Sequence, residues 1–284
     1  MNEDQNNNVN NPLNSYFRKP VIHMALPSKG KFYTPGSINI PPTGELPVYP
    51  MTALDEISYK TPDALFNGSA VVDVIKSCIP SIIDPWQIPQ IDLSTILSNI
   101  RLASFGEELE IETVCPKCSE ESTYSVDLRD VNDHLQFPDY NKGLSAGDLT
   151  VYFKPLTYKQ VNDGGRLSFE EQQLSKAIID SDLDEDEKIK RMTAAFKNIS
   201  NYTIETLGDS INLIKTPGAD VTEREYIIDY LQHCDRSIFN RIKERIIADR
   251  GISDIKPLKI TCDNKECKHT YTQPFTIDPS HFFD

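Results

Sequence analysis

Four of the six cysteines form two pairs whose spacing suits a metal ion. Cys115 and Cys118 make a CxxC pair, and Cys262 and Cys267 make a CxxxxC pair. Closely spaced thiolates on one tight turn can bind the same ion, and Zn²⁺ takes four such ligands in a tetrahedron at about 2.3 Å. Four cysteines leave no open coordination position, so the spacing predicts one structural Zn²⁺ per chain rather than a catalytic one.

Other fates of these thiols stay open at this stage. Disulfides are compatible with an extracellular particle, although synthesis in a reducing cytosol and the ligand spacing favour metal. A thioredoxin-like redox site is disfavoured, because Cys115 does not open a helix after a βαβ pattern. Unbridged thiols are the remaining alternative. Cys78 and Cys234 lie in helical patterns with apolar neighbours, and we expect both to be buried free thiols.

Alternating apolar residues predict the strands that position the two pairs. The alternation precedes and follows each pair, at residues 109–114, 124–128, 258–261 and 271–275, and recurs at 149–153. Each pair is therefore expected at the tip of a strand–turn–strand unit, as in a zinc ribbon. The 143 residues between Cys118 and Cys262 are too many for a compact finger. We therefore expect a split ribbon whose metal closes a very long loop.

The expected fold class is α+β, a mostly helical domain inserted into a split four-cysteine zinc ribbon with an extended Pro-rich N-terminal arm. In chain order, we expect a disordered Asn-rich tail (1–19), the extended arm (20–50), an N-terminal helical region (51–106), the first zinc knuckle hairpin (107–130), the helical insert (131–255), and the second zinc knuckle hairpin with the C-terminus (256–284). Seven prolines from Pro20 to Pro50 favour extended backbone in the arm. The arm is expected either to lie on its own domain or to complete its packing against a neighbouring subunit.

Helix boundaries are predicted from capping patterns. Thr52 and Asp55 have the spacing of a capping box, and helices are also expected at 62–66, 69–78 and 93–103. Asp92 or Ser94 is expected to cap the last of these, which should end near Gly106. Further along, we predict a capping box over 222–225 and a helix stop at Gly251. The acidic run 180–187 is expected to be a solvated loop that caps the next helix.

Apolar stripes recur between residues 157 and 250 and predict amphipathic helices. We interpret all of them as core, the usual role of such stripes. They consist of Leu174, Ala177 and Ile178; Met192, Ala195, Phe196 and Ile199; Ile227, Ile228 and Leu231; and Ile238, Ile242, Ile246 and Ile247.

Charge and missing motifs argue against several function classes. The 284 residues contain 29 Lys and Arg against 43 Asp and Glu, a net charge of −14, which disfavours nucleic acid as a partner. No apolar run approaches the roughly 18 residues of a membrane helix, and the first residues do not form a secretory signal. Nucleotide-binding and hydrolase motifs are absent from the sequence. We therefore expect neither enzymatic activity nor a small-molecule substrate.

An ordered set of motifs resembles a known family. The set consists of Leu26-Pro-Ser-Lys-Gly-Lys-Phe-Tyr33, Val48-Tyr-Pro-Met-Thr-Ala-Leu-Asp-Glu56, the apolar helix around Cys78, Ile100-Arg101, Ser104-Phe-Gly106 and Cys115-Pro-Lys-Cys118. In this order it resembles the baseplate proteins of T4-like contractile-tailed bacteriophages, which are baseplate hub subunits or hub assembly proteins.

The resemblance implies a non-enzymatic viral protein that binds other baseplate and tail proteins. It would be located in the virion tail or, during assembly, in the host cytoplasm, and the resemblance is compatible with homo-oligomers. The alternative is a zinc-ribbon protein associated with nucleic acid or transcription, because such ribbons recur in that class. The acidic charge of both halves of the chain speaks against this alternative.

Overall fold

The computed structural model describes residues 12–60, 68–181 and 183–277. The fold mixes helices and strands. The helices are α1 (Ala53–Tyr59), α2 (Ser69–Cys78), α3 (Gln90–Phe105), α4 (Leu128–Asp133), α5 (Tyr158–Ile179), α6 (Glu185–Asp209), α7 (Arg224–His233) and α8 (Arg236–Ser253). The strands are β1 (Ile22–Ala25), β2 (Glu45–Val48), β3 (Glu108–Val114), β4 (Glu121–Asp127), β5 (Leu144–Ala146), β6 (Leu149–Phe153), β7 (Ile211–Lys215), β8 (Asp220–Val221), β9 (Leu258–Thr261) and β10 (Thr270–Gln273).

All the strand pairs in the described residues are antiparallel. β1–β2, β3–β4 and β9–β10 are two-stranded hairpins, and the fourth sheet has the order β5-β6-β7-β8. Each strand predicted from alternation is present. The sequence analysis did not predict the β1–β2 pair, strand β5 or the β7–β8 pair. Residues 1–11 of the predicted tail (1–19) and the predicted helix at 62–66 lie outside the described residues.

Buried apolar side chains form two separate cores. The first contains α2, α3, the β1–β2 hairpin and Phe275 near the C-terminal end of the described chain. The second is built from β6, β7, α7, α8 and the end of α6, and its buried residues all lie between Val151 and Ile246. The first core therefore includes residues from both sides of the second along the chain.

The two cores meet where α3 and α5 begin. The Tyr158 backbone N–H donates to the Ile88 carbonyl at 2.7 Å, and the Gln90 N–H donates to the Leu156 carbonyl at 2.8 Å. The Trp86 ring stacks on the Tyr158 ring with centroids 5.4 Å apart. Backbone pairing and aromatic stacking thus fix the start of α5 against the first core.

The Pro-rich segment 20–50 packs on its own domain. Met24, Leu26, Leu46 and Val48 are buried in the first core. The part of the segment around these residues therefore packs on the protein's own first core, as in the first of the two predicted alternatives. Its prolines are compatible with pairing because β1–β2 is an isolated two-stranded hairpin, in which a Pro such as Pro47 can face away from the ladder.

The helix ends confirm some capping predictions and correct others. Thr52 caps α1 in a capping box with Asp55, Asp184 caps α6, and Gly106 ends α3 with a φ of +91°. Pro89, rather than Asp92 or Ser94, precedes α3. The predicted capping box over 222–225 is absent, since Glu223 occupies the N-cap of α7 without a side-chain cap, and α8 continues through Gly251 to Ser253.

The assignment of every apolar stripe to the core is wrong for most of the stripes on α5 and α6 and for one residue of α8. Of the residues predicted as core in α5 and α6, Ile178 and Ala195 are buried, whereas Leu174, Phe196 and Ile199 are exposed. Ile247 on α8 is exposed as well. The α5–α6 hairpin therefore carries apolar side chains that no described part of the chain covers.

Candidate metal centre

Two similar turns position the four cysteines. In the first, which joins β3 to β4, the Cys115 N–H donates to the Glu120 carbonyl at 2.9 Å and the Ser119 N–H donates to the Cys115 carbonyl at 2.9 Å. In the second, which joins β9 to β10, the Cys262 N–H donates to the His269 carbonyl at 2.9 Å. These bonds close each turn at its first cysteine.

The residue after the second cysteine has a positive φ in both turns. Ser119 has a φ of +58° and Lys268 a φ of +44°, a left-handed conformation that few non-glycine residues adopt. This conformation reverses the chain directly after the second cysteine, so the returning strand can start. The two turns therefore share a local geometry despite their different cysteine spacings.

The structure brings all four predicted ligands together. The four Sγ atoms lie within 4.8 Å of one another, with Cys115 to Cys267 at 4.0 Å and Cys118 to Cys262 at 3.6 Å. A tetrahedral Zn²⁺ with bonds of about 2.3 Å separates its sulfur ligands by about 3.8 Å. Both cross-turn distances lie close to that value, so the donor set fits a zinc ion in type, number and spacing.

The surroundings of the cluster connect the two hairpins beyond the thiols. The Thr113 and Tyr271 hydroxyls lie 2.9 Å apart, which places a hydrogen bond between β3 and β10. Cys115 and Cys262 are buried, whereas Cys118 is exposed at the rim. Within the described ranges, these cysteines are the one group of three or more Cys, His, Asp or Glu side chains close enough to share an ion.

The thiols influence one another's ionisation. For Cys115, burial acts to raise the pKa, but the backbone N–H groups of Cys118 and Lys117 and the neighbouring thiols lower it to about 7. For Cys118, hydrogen bonding from Glu120 lowers the pKa, while burial and the other three thiols raise it to about 12. One thiolate thus forms readily and opposes the next, and a divalent cation would remove that opposition.

Cys78 and Cys234 lie apart from the cluster. Cys78 is fully buried at the end of α2, and Cys234 is half-buried after α7. Burial raises the pKa of Cys78 to about 12, and Asp55 adds to this effect while Arg18 opposes it. The thiol of Cys78 therefore stays protonated at neutral pH.

A buried carboxylate that sequence reasoning assigned to a helix cap fastens the Pro-rich segment instead. Asp92 is fully buried in α3 and accepts hydrogen bonds from the Ser28 N–H at 2.8 Å and the Ser28 hydroxyl at 2.5 Å. Burial raises the pKa of Asp92 to about 6, although the bonds from Ser28 lower it. Ser28 lies within the motif Leu26–Tyr33. The sequence therefore singled out one partner of the hydrogen bonds but did not predict the bonds to Asp92.

A cavity of about 620 Å³ lies where the two cores meet, and none of the cluster cysteines lines it. Its walls come mainly from α3, β6, α8 and residues 274–277. The buried carboxylate of Asp249 on this wall is paired with Arg245, whose Nε donates to it at 2.8 Å. The cavity thus marks the joint between the cores.

Comparison with known proteins assigns the chain to a family. The family model described as "T4 bacteriophage base plate protein" matches residues 26–284, nearly the whole sequence. The chain belongs to this family. The match includes the motifs on which the resemblance rests, and it extends beyond them to the second cysteine pair. Neither a curated protein nor a solved structure matched the chain significantly.

The base plate family match extends over both cores, apart from β1, and over the helices between the two cysteine pairs. None of the helices in the described ranges combines the length and hydrophobicity that a bilayer-spanning segment requires. The family assignment identifies a structural protein of a phage tail, and the cysteine cluster is compatible with metal binding.

Proposed function

We propose that the protein is a non-enzymatic structural or assembly component of the baseplate hub, held together by one Zn²⁺. The family match over residues 26–284 carries the proposal, because it assigns almost the entire chain to base plate proteins. The protein would act through contacts with other baseplate and tail proteins, in the virion or in the host cytoplasm during assembly. Nucleic acid, membranes and small-molecule substrates have no part in it.

The metal is the second element of the proposal. Cys115, Cys118, Cys262 and Cys267 would hold Zn²⁺, and the two hairpins would form a split zinc ribbon with four cysteine ligands. Sulfur separations near the tetrahedral value support this proposal. When bound, the ion would compensate the thiolates and lock the hairpins tip to tip. The ribbon halves would comprise residues 107–130 and 256–284 and enclose an insert at 131–255.

The Pro-rich segment would act as a strap rather than as a free arm. It reaches both cores, because Ser28 bonds to Asp92 on α3 and the Phe32 ring lies edge-on to Tyr140 at 5.3 Å. A protein braced in this way presents a fixed surface to its neighbours, which lowers the entropic cost of assembly.

Metal content and tail assembly test the proposal separately. Purified chain prepared without chelators should contain about one zinc per molecule, and Cys118→Ser should abolish stoichiometric binding, with Cys234→Ser as the matched control. Phage lacking the protein should accumulate baseplate precursors in electron micrographs, and the wild-type gene should restore complete tails. Normal tails without the protein would refute the assembly role. Mass spectrometry of purified virions would distinguish a retained hub subunit from an assembly factor.

A further inference from the structure

The α5–α6 hairpin projects from the second core with little support. Among its described residues between 161 and 203, the buried ones are Glu171, Ile178 and Ala195. Helices of this length in water depend on a covered apolar face more than on intrinsic propensity. The hairpin therefore buries fewer apolar side chains than helices of this length usually need for stability.

Its exposed apolar residues form a regular strip on α6. Ile189, Met192, Phe196 and Ile199 follow one another at spacings of three, four and three residues, the a/d pattern of a two-heptad coiled coil. The exposed fractions of Ile189, Phe196 and Ile199 are 61%, 62% and 41%. We call these four residues the α6 strip. A groove of about 460 Å³ runs beside it, with Ile178 and Ile179 of α5 on its wall.

We propose that the α6 strip is a homodimer interface, in which it packs antiparallel against the same strip of a second copy. The spacing three-four-three is the same in both directions along the helix. A two-fold axis at the level of Ala194 therefore aligns the strip of one copy with the strip of the other. Ile189 then faces Ile199 of the second copy, and Met192 faces Phe196. A thioether against an aromatic ring is a favourable contact. The two hairpins together make a four-helix bundle.

Charge selects the antiparallel arrangement. The first turn of α6 and its cap carry four carboxylates in succession, from Asp184 to Glu187. In a parallel pair, these turns would lie side by side and repel each other. In the antiparallel pair, each acidic turn lies opposite residues 201–204 of the other copy, which carry no charge. Thr193 and Ser200 flank the strip on one side and carry no charge, and Lys188 lies at the groove on the other side of Ile189.

The size of the hairpin face is adequate for a specific dimer. Two helices side by side are about 20 Å wide, and the 19 residues of α6 that face their own two-fold image (185–203) span about 28 Å. This gives a face of about 570 Å² per partner, or about 1,100 Å² in total, which exceeds the roughly 1,000 Å² expected of a biological interface and is typical of a weak dimer. The dimer needs neither the metal nor the tail role, and so it goes beyond the proposed function.

Sedimentation of the full chain tests the interface directly. Wild-type protein should show a concentration-dependent monomer–dimer equilibrium. Phe196→Glu should weaken it at least about 100-fold, because a charge would be buried without a partner. The matched control Leu54→Glu changes a residue that is 71% exposed on α1 and should leave the equilibrium unchanged. Exchanging Met192 and Phe196 in one double variant should preserve the dimer, because these positions face each other.

Distances between labels test the orientation. Spin labels at residue 186, introduced through an unnatural amino acid, should lie about 24 Å apart along the helix axis in the antiparallel dimer. A parallel pair would place them at about the 10 Å spacing of the helices. Wild-type protein that stays monomeric at all concentrations, a dimer that survives Phe196→Glu, or the short label distance would each overturn the proposal. Circular dichroism of each variant confirms that the helices remain folded.

Discussion

Helices α2 and α6 each carry an apolar stripe, but the surroundings of the two stripes differ. In α2, six of ten residues are buried, and α3 packs beside it in the first core. In α6, three of 25 residues are buried, and two of these, Leu207 and Gly208, lie at its C-terminal end. The same kind of stripe thus lines a core in one region and a free surface in the other. An amphipathic pattern indicates that one face of a helix is apolar enough to be buried, but it does not identify the surface that buries it.

Removing the proposed Zn²⁺ should give the largest effect, and it should act on the two cores rather than on the α5–α6 hairpin. Closing a loop of more than about 100 residues contributes about 5 kcal/mol in the chain-entropy estimate. Chelation should therefore lower the melting temperature of both cores, as followed by circular dichroism at about 222 nm. Amide exchange in residues 185–200 should change little, since the clasp does not pack on them. An unchanged melting curve after confirmed zinc removal would falsify the clasp.

The double variant of the cluster sharpens the same test. Cys115→Ser and Cys262→Ser should each destabilise the protein, and the double variant should be no worse than either single one, because both changes destroy the same site. Additive losses in a denaturant titration would instead indicate two independent sites.

A matched pair of isoleucines compares the regions directly. Ile100 on α3 is fully buried, and Ile189 on α6 is mostly exposed. Ile100→Ala should lower the free energy of unfolding by about 2–5 kcal/mol, because it leaves a cavity. Ile189→Ala should change it by less than about 0.5 kcal/mol at concentrations where the chain is monomeric. Similar losses in urea titrations of the two variants would contradict the distinction between core and free surface.

The pH dependence of stability should report on Asp92, which holds the Pro-rich segment against α3. Burial raises the pKa of this carboxyl to about 6, above its value in the unfolded chain. The folded protein then holds the proton more tightly, so raising the pH from about 4 to about 6.5 should lower the free energy of unfolding by up to about 3 kcal/mol. Asp92→Asn should remove this component, as seen in the difference between the two stability–pH profiles. Parallel profiles would show that Asp92 does not titrate in this range.

Two arginines provide the smallest contrast. Arg18 donates to the carbonyls of Pro50 and Ser77 and lies 3.3 Å from the Asp55 carboxylate, in partly buried surroundings. Arg191 pairs with Glu187 at 3.0 Å on the exposed surface of α6. Arg18→Ala should cost about 1–3 kcal/mol, and Arg191→Ala less than about 0.5 kcal/mol. Equal thermal shifts for the two variants would remove this distinction.

The cysteine site was predictable because its signals are local. Ligand spacing and strand alternation on each side of the pairs occupy short windows, and the structure places all four sulfurs together. The contact between Ser28 and Asp92 was not predictable, because the residues are 64 positions apart. A charged residue near the start of a helix normally caps it, and the first helical turn of α3 alone offers no sign of its burial.

Two groups of strands were not predicted from the sequence, for different physical reasons. Prolines concealed the β1–β2 hairpin, since Pro47 lies within β2 and a strand interior rarely contains this residue. β7 begins two residues after α6 ends, and its apolar residues were absorbed into a long helical region. Tertiary pairing with β6 decides its conformation, and no local pattern encodes that partner.

The order of synthesis gives the split cluster a kinetic consequence. Ribosomes add about 5–20 residues per second, so Cys115 and Cys118 precede Cys262 by about 7–30 s. Phe275, which completes the first core, emerges later still. During this interval the first pair lacks its partners and is open to oxidation or to the wrong metal. A reducing environment would keep the first pair free to meet Cys262 and Cys267, and the first core is completed only after both pairs have been made.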